Sequence, residues 1–455
     1  MKTTTILSLK GLTLLTFLFI SWSCKKDVNS STSGSSYTDP FTQMPATEDV
    51  VMYEVNLRAY SENGDLQGVM YRLDELEDMG VNVIWLMPIY PVGQVNSVNS
   101  PYCIRNYTQV ASEYGNLRKL REFTSMAHDR GMAVMLDWVA NHTAWDHPWI
   151  EENPGWYTQD GNGNIIHPPG TNWQDVADLN FDNMDMRAAM IESMKYWVEE
   201  ANVDGFRCDY ADGVPYDFWV SAIDSLRNIP GRELLFFAEG NRADHFAAGF
   251  DMAFGWNYYG AIKNVWNGQA TSLMRNTHIQ EYNNAPAGKH WVRFTTNHDE
   301  SAWDATPMQI FNGKKGALAA SVATIFTGGV PLIYGSQEVG VAGTIPFFSN
   351  TQIDWSKNGD MLAEYESLLS FYSENKIART GVNTDYSDDD VLCYVKSLNG
   401  KELLIIVNVR NTTVLYDMPS NVVVGDDWYD ERDQVKYDFG LQLMLEPYRY
   451  YVLSR

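Results

Sequence analysis

From residue 48 to about residue 335, short continuous apolar runs alternate with amphipathic stretches. Residues 50–57 read as a first strand. Residues 65–80 carry Leu66, Val69, Met70, Leu73 and Leu76 at helical spacing and close on Gly80. Residues 81–87 are apolar throughout, as a strand buried on both faces requires. Strand, helix and strand then recur. Helix 116–130 leads to strand 132–139, helix 185–202 to strand 203–209, and helix 216–227 to strand 234–238. Runs at 250–254, 291–296 and 331–334 bring the strands to eight. Eight βα repeats predict an α/β fold closed as a (β/α)8 TIM barrel rather than an open sheet.

Two stretches break the repeat. Residues 142–180 follow the third strand, are rich in Gly, Pro, Asn and Trp, and show no period. That is too long for an ordinary βα loop and reads as a small inserted subdomain over the barrel mouth. After about residue 380 the long helices stop. Runs at 391–397, 402–409, 413–418, 422–424 and 448–453 predict a C-terminal antiparallel β-sandwich domain. The expected organisation is a barrel over 48–380, with the insertion at 142–180, and a β domain over 381–455.

The start of the chain follows a different logic. Lys2 and Lys10 precede an apolar run at 11–20, which is too short to span a bilayer and fits the hydrophobic region of a signal peptide. Ser21-Trp22-Ser23-Cys24 follows and resembles a bacterial lipoprotein cleavage box, with Trp22 bulky for that box. Residues 1–23 are expected to be a signal peptide, Cys24 to carry a lipid, and 24–47, rich in Ser, Thr and Asn, to be a flexible tether. These features predict an exported protein held at a bacterial outer membrane by its lipid anchor alone.

Composition sets limits. Hydrophobic content of 45% and charged content of 20% over 455 residues are those of a globular protein with a large core. A net charge of −25 argues against a nucleic-acid partner and is compatible with a neutral substrate. Beyond Cys24 the cysteines are Cys103, Cys208 and Cys393. An odd count without close spacing argues against a disulfide framework or a zinc site, so all three read as structural.

The candidate chemistry lies at the strand ends, where barrel active sites are built. The third strand ends Leu136-Asp137-Trp138-Val139-Ala140-Asn141-His142. The fourth runs Val203-Asp204-Gly205-Phe206-Arg207-Cys208-Asp209. Residues i and i+2 of a strand share a face, so Arg207 and Asp209 point the same way. The fifth strand ends in Glu239 and the seventh in Asn297-His298-Asp299. Four strand ends that bring acid, His and Arg to one mouth are hard to explain structurally, because each unpaired buried charge costs several kcal/mol. Asp209, held ionised by Arg207, and Glu239, desolvated after an apolar strand, make a candidate nucleophile and general acid.

These motifs resemble those of glycoside hydrolase family 13, the α-amylase family. Asp137, Asn141 and His142 match its Asp-x-x-x-Asn-His. Gly205-Phe206-Arg207-Cys208-Asp209 matches its Gly-Phe-Arg-x-Asp, Glu239 its strand-five glutamate, and Asn297-His298-Asp299 its Asn-His-Asp. The resemblance spans residues 48 to 455. It implies that Asp209 is the nucleophile, Glu239 the general acid/base, and Asp299 the residue holding the sugar hydroxyls. It implies that Arg207 orients Asp209, that His142 and His298 bind the sugar, that Tyr102 stacks on it, and that Asp137 is a structural partner of Arg207.

The implied function is retaining hydrolysis of α-1,4-glucosidic bonds in an α-glucan. A 4-α-glucanotransferase or an exo-acting α-glucosidase on the same site is the alternative within enzymes, and a silent glucan-binding lipoprotein the alternative outside them. The resemblance also raises calcium, held by Asn141, Asp178 and the backbone carbonyl of Gly213; no organic cofactor is expected. Two departures stand out. Family members often have Lys-His where this chain has Asp212-Gly213, and an Asp where it has Cys103.

Overall fold

The computed structural model describes residues 39–424 and 427–455. The expected signal peptide, Cys24 and the first part of the tether lie outside the described residues. Strands β1 (Met52–Val55), β2 (Val83–Leu86) and β3 (Ala133–Trp138) come first. An insertion carries β4 (His142–Ala144) and β5 (Val176–Asp178). Then follow β6 (Gly205–Cys208), β7 (Leu235–Ala238), β8 (Met252–Phe254), β9 (His290–Arg293) and β10 (Val330–Tyr334). Eight of these close into a parallel barrel in the order β1-β10-β9-β8-β7-β6-β3-β2. The closed (β/α)8 architecture is the one the apolar repeats predict.

The barrel interior is filled. Trp85, Phe237 and Phe254 reach in from three strands; Trp85 packs edge-on against both phenylalanines, whose ring centroids lie 4.4 Å apart. This plug closes the floor beneath the mouth. Gly205 opens β6 because a Cβ there would lie 2.1 Å from the Leu235 carbonyl oxygen on β7, so the glycine allows the two strands to pair.

The insertion is small and irregular. Its two strands form an antiparallel ribbon in which His142 pairs with Asp178. The rest is turns, one short helix at Pro148–Glu152 and one 3-10 turn at Pro154–Trp156.

Beyond the barrel come β11 (Val382–Asp385), β12 (Val391–Leu398), β13 (Lys401–Asn408), β14 (Val414–Asp417), β15 (Trp428–Asp430), β16 (Val435–Tyr437), β17 (Gln442–Leu445) and β18 (Tyr450–Ser454). A six-stranded sheet, β11-β12-β13-β18-β15-β16, faces the ribbon β14-β17. Val391, Leu404, Ile406 and Leu453 of the sheet and Tyr416 and Leu445 of the ribbon share one core, which makes the domain a small sandwich.

Two local expectations are corrected. The helix read over 65–80 is two, Leu66–Met70 and Leu73–Asp78. Arg72 leaves the helical region (φ −116°, ψ 11°) and lays its guanidinium 3.4 Å from the centroid of the Trp355 ring, and that contact bends the chain. The run 422–424 is not a strand, since Val422 belongs to a short helix, Ser420–Val423, that follows Pro419. Three apolar residues are too few to separate the two periods.

The two domains meet at a buried cation. Lys396 on β12 is 1% exposed, and its Nζ donates to the Phe326 carbonyl oxygen at 2.8 Å, near the end of helix Lys314–Thr327. Burial brings its pKa down from 10.5 to about 7. The folded value lies below the unfolded one, so the unfolded chain binds more protons between about pH 7 and pH 10.5, and stability rises with pH across that window. Thermal unfolding followed by circular dichroism is expected to show the wild-type midpoint climbing from pH 7 to pH 9. In Lys396→Met that climb should be lost.

Candidate active site

Register delivers the first contact of the site. Asp137 on β3 pairs with Arg207 on β6, so both side chains leave the same face of the sheet into the barrel mouth. Arg207 Nη1 donates to Asp137 at 2.7 Å and to Asp209 at 3.1 Å, and Nη2 lies 2.9 Å from Glu239. One guanidinium thus holds three carboxylates. Asp209 and Glu239 occupy different prongs of its fork, which sets their spacing. The cation sits on the Trp85 ring, 5.0 Å from its centroid, and is 1% exposed.

A second chain of contacts enters from the opposite wall. His298 Nδ1 reaches Glu54 on β1 at 2.5 Å, and its Nε2 lies 2.7 Å from the Tyr102 hydroxyl. That hydroxyl donates to Asp137 at 3.1 Å. Burial alone would make His298 a weaker base, but the carboxylates of Asp299 and Glu54 prevail and raise its pKa to about 9. The imidazolium therefore donates on both sides. The result is an unbroken path from Glu54 through His298, Tyr102, Asp137 and Arg207 to Asp209 and Glu239.

The loops past the strands complete the cluster. Tyr210 follows Asp209 in the left-handed region, φ 40°, a conformation that costs on the order of 1–3 kcal/mol for a non-glycine residue. It lets the Tyr210 N–H donate to Glu239 at 2.8 Å. Ala211 N–H donates to the Glu239 carbonyl oxygen at 2.8 Å, so the two loops carrying the carboxyls are joined directly.

The electrostatics correct one expectation. Arg207 was to hold Asp209 down, but burial, with Glu239, Asp137 and Asp299 around it, pushes the Asp209 carboxyl well above its ordinary range despite the guanidinium. A single positive charge is divided among three carboxylates. The cluster carries more acid than base, and burial raises Asp137 along with Asp209.

Asp209, Glu239, Asp299, Tyr102 and His142 all line one cavity of ≈ 560 Å³. Arg207, His298 and Asp137 lie beneath them. His142 is buried, which lowers its pKa to about 4, and it packs edge-on against Trp173 of the insertion, 5.6 Å between ring centroids. Sequence reasoning missed three groups. Glu54 had a signal, a lone charge inside the apolar strand β1. Trp173 from the insertion and the trio Trp303, Phe347 and Phe348 also line the cavity; they lie in stretches without period or motif and had none.

The departures have local causes. A Cβ at Gly213 would lie 2.3 Å from the Tyr210 ring and 2.5 Å from Asn141 Oδ1, so the loop is built around a glycine. Asp212 accepts from the N–H groups of Asn241 (2.8 Å) and Arg242 (3.1 Å) and from His245 Nε2 (2.6 Å). It faces the loop after Glu239 rather than the cavity. Cys103 is buried with its Sγ 3.2 Å from the Asp175 carbonyl oxygen, and burial pushes its thiol up to about 12. Cys208 and Cys393 are buried and unpaired as well. Asn141 and Asp178 lie at the root of the insertion, Asn141 Nδ2 3.3 Å from His142 Nδ1. Among the described residues, no three His, Cys, Asp or Glu side chains gather to hold a metal ion.

Comparison with known proteins agrees with this geometry. The family of the alpha amylase catalytic domain matches residues 29–162 and 170–391. The alpha-amylase MalA of Haloarcula japonica is 27% identical over 412 residues, covering 86% of this chain and 60% of its own length. The cyclomaltodextrinase of Thermoanaerobacter pseudethanolicus is 23% identical over 421 residues, covering 86% of this chain and 71% of its own length. An alpha-amylase structure from Lactobacillus plantarum matches with a TM-score of 0.80 at 25% identity, over 90% of this chain and 99% of that one. The chain thus spans three fifths of its relative MalA and nearly all of the L. plantarum structure. With its acids gathered at one mouth of a closed barrel and a family match across most of its length, the chain belongs to the alpha-amylase family.

Proposed function

We propose that the chain is a retaining α-glucan hydrolase that cleaves α-1,4-glucosidic bonds. The observation that supports this best is the pairing of Asp209 and Glu239 on separate prongs of Arg207, with Asp299 lining the same cavity. Two carboxyls held side by side supply a nucleophile and a proton donor. Glu239 protonates the glycosidic oxygen while Asp209 attacks the anomeric carbon, which gives a covalent glycosyl-enzyme and frees the leaving sugar. Water then gives its proton to Glu239 and displaces Asp209, with the configuration at the anomeric carbon retained. The transition states carry positive charge on the sugar ring, and a cluster richer in acid than in base stabilises that charge where it develops. Tyr102 and His142 bound the sugar, and Asp299 accepts from its hydroxyls.

Transfer to a second sugar is the competing outcome. Trp173 packs against Tyr210 with ring centroids 5.0 Å apart, beside Glu239, and an aromatic wall there gives a sugar acceptor a surface to stack on. The reading of the N-terminus adds location. Lys2, Lys10, the apolar run and Ser21-Trp22-Ser23-Cys24 support export and lipid anchoring at Cys24. For calcium the donors named by resemblance are one amide, one carboxylate and one backbone carbonyl, short of the six to eight oxygens the ion takes. Further backbone carbonyls and water would have to supply the remainder, and no step of the mechanism uses the ion.

Three outcomes are expected. Glu239→Gln and Asp209→Asn should each lower kcat on maltoheptaose by on the order of 10³-fold, with circular dichroism unchanged. Activity of either variant equal to wild type would remove the catalytic assignment and leave a glucan-binding protein, while products longer than the substrate would select transfer. Fractionation of cells should find the wild type with membranes and Cys24→Ala in the soluble fraction; a soluble wild type would overturn the anchor. Dialysis against EDTA should leave activity and thermal midpoint where they were. Loss of both, restored by calcium and not by magnesium, would return the ion to Asn141 and Asp178.

A further inference from the structure

The chemistry above gives the cavity a direction. Glu239 protonates the departing oxygen, so the leaving chain lies on its side. Tyr210 holds Glu239 through its N–H and packs on Trp173, which places the Trp173–Tyr210 wall on the leaving side. The sugar that stays on Asp209 is met by Asp299, His298 and Tyr102. From that side a second aromatic wall runs outward. Phe347 packs on Tyr102 and on His298, with ring centroids 5.9 and 5.3 Å apart, and Trp303 packs on Phe347 and Phe348 at 5.6 and 5.2 Å.

Trp303 is the unexplained member of this wall. It is 63% exposed, yet it lines the same cavity as Asp209 and Glu239. Exposed indole surface at the rim of a cleft marks a binding position rather than packing. The segment that carries it is firmly built. Residues Glu300–Asp304 form a single π-helical turn, a form that concentrates at functional sites. Glu300 N–H donates to Asn297 Oδ1 at 2.9 Å, and Glu300 Oε2 accepts from the Tyr259 hydroxyl at 2.8 Å. Lys263 reaches Asp304 at 3.2 Å, and Ile345 N–H donates to the Ser301 carbonyl oxygen at 3.1 Å. The turn is held from both sides while the indole stays bare.

We infer that Trp303 is a stacking platform for the glucosyl unit next to the one attacked, on the side retained by the enzyme. This rests on the α-glucan reading above. The apolar face of a glucose ring lies on the indole, so the productive complex holds at least two units on that side. The fragment released from Asp209 is then a disaccharide or longer, and glucose can leave first only from the reducing end.

The test uses the whole chain. Maltoheptaose binding to Glu239→Gln, read by calorimetry, is compared with binding to Glu239→Gln/Trp303→Ala and Glu239→Gln/Trp303→Phe. The alanine variant should bind about 10-fold more weakly, as loss of an aromatic anchor does, and the phenylalanine variant should recover most of that loss. With maltoheptaose labelled at its reducing end, the wild type should release no unlabelled glucose in the first minutes, and Trp303→Ala should shift the product pattern. Equal affinity of the alanine variant, or unlabelled glucose as a first product of the wild type, would overturn the platform while leaving the hydrolase reading intact. Absence of maltoheptaose binding to Glu239→Gln itself would overturn both.

Discussion

The mouth of this barrel is organised by one buried positive charge. A guanidinium withdrawn from water costs several kcal/mol unless it is paired, and Arg207 is 1% exposed. Three carboxylates converge on it. Asp137 arrives by sheet register, Asp209 from the end of the same strand, and Glu239 from the end of the next. The indole of Trp85 supports it from below. Because one cation serves three acids, the carboxyls compete for a single positive charge. The same contacts that stabilise the fold therefore tune the site.

The loops above this charge are tied to each other rather than left free. Tyr210 accepts an unfavourable backbone conformation so that its N–H meets Glu239. Asp212 binds two N–H groups and His245 in the loop after Glu239. Burial opposes its ionisation, but these hydrogen bonds prevail and lower its pKa to about 2. At this position a basic residue common in the family gives way to an acid turned toward the loop after Glu239.

The insertion and the loop after β10 have a complementary task. The first brings Trp173 over His142 and buries Cys103 at its root. The second brings Phe347 and Phe348 under Trp303. Together they line the cavity at the open end of the barrel with aromatic rings.

By itself the sequence determined the eight βα repeats, the insertion, the terminal β domain and the acids at the strand ends. Those signals are local: a strand buried on both faces is apolar in every residue, and Arg207 and Asp209 share a face because a strand has period two. The break at Arg72 was illegible because its cause, the Trp355 ring, is remote in sequence. So was the role of Glu54, whose partner His298 is 244 residues away. The raised Asp209 carboxyl depends first on its burial and then on the acids around it, and both exist only once the barrel has closed. Tertiary structure alone decided which aromatic residues face the cavity, because in 142–180 and after β10 the chain has no period from which a face can be read. The chemistry at the strand ends could be read from the chain, whereas the aromatic walls of the cavity arise from contacts between distant loops.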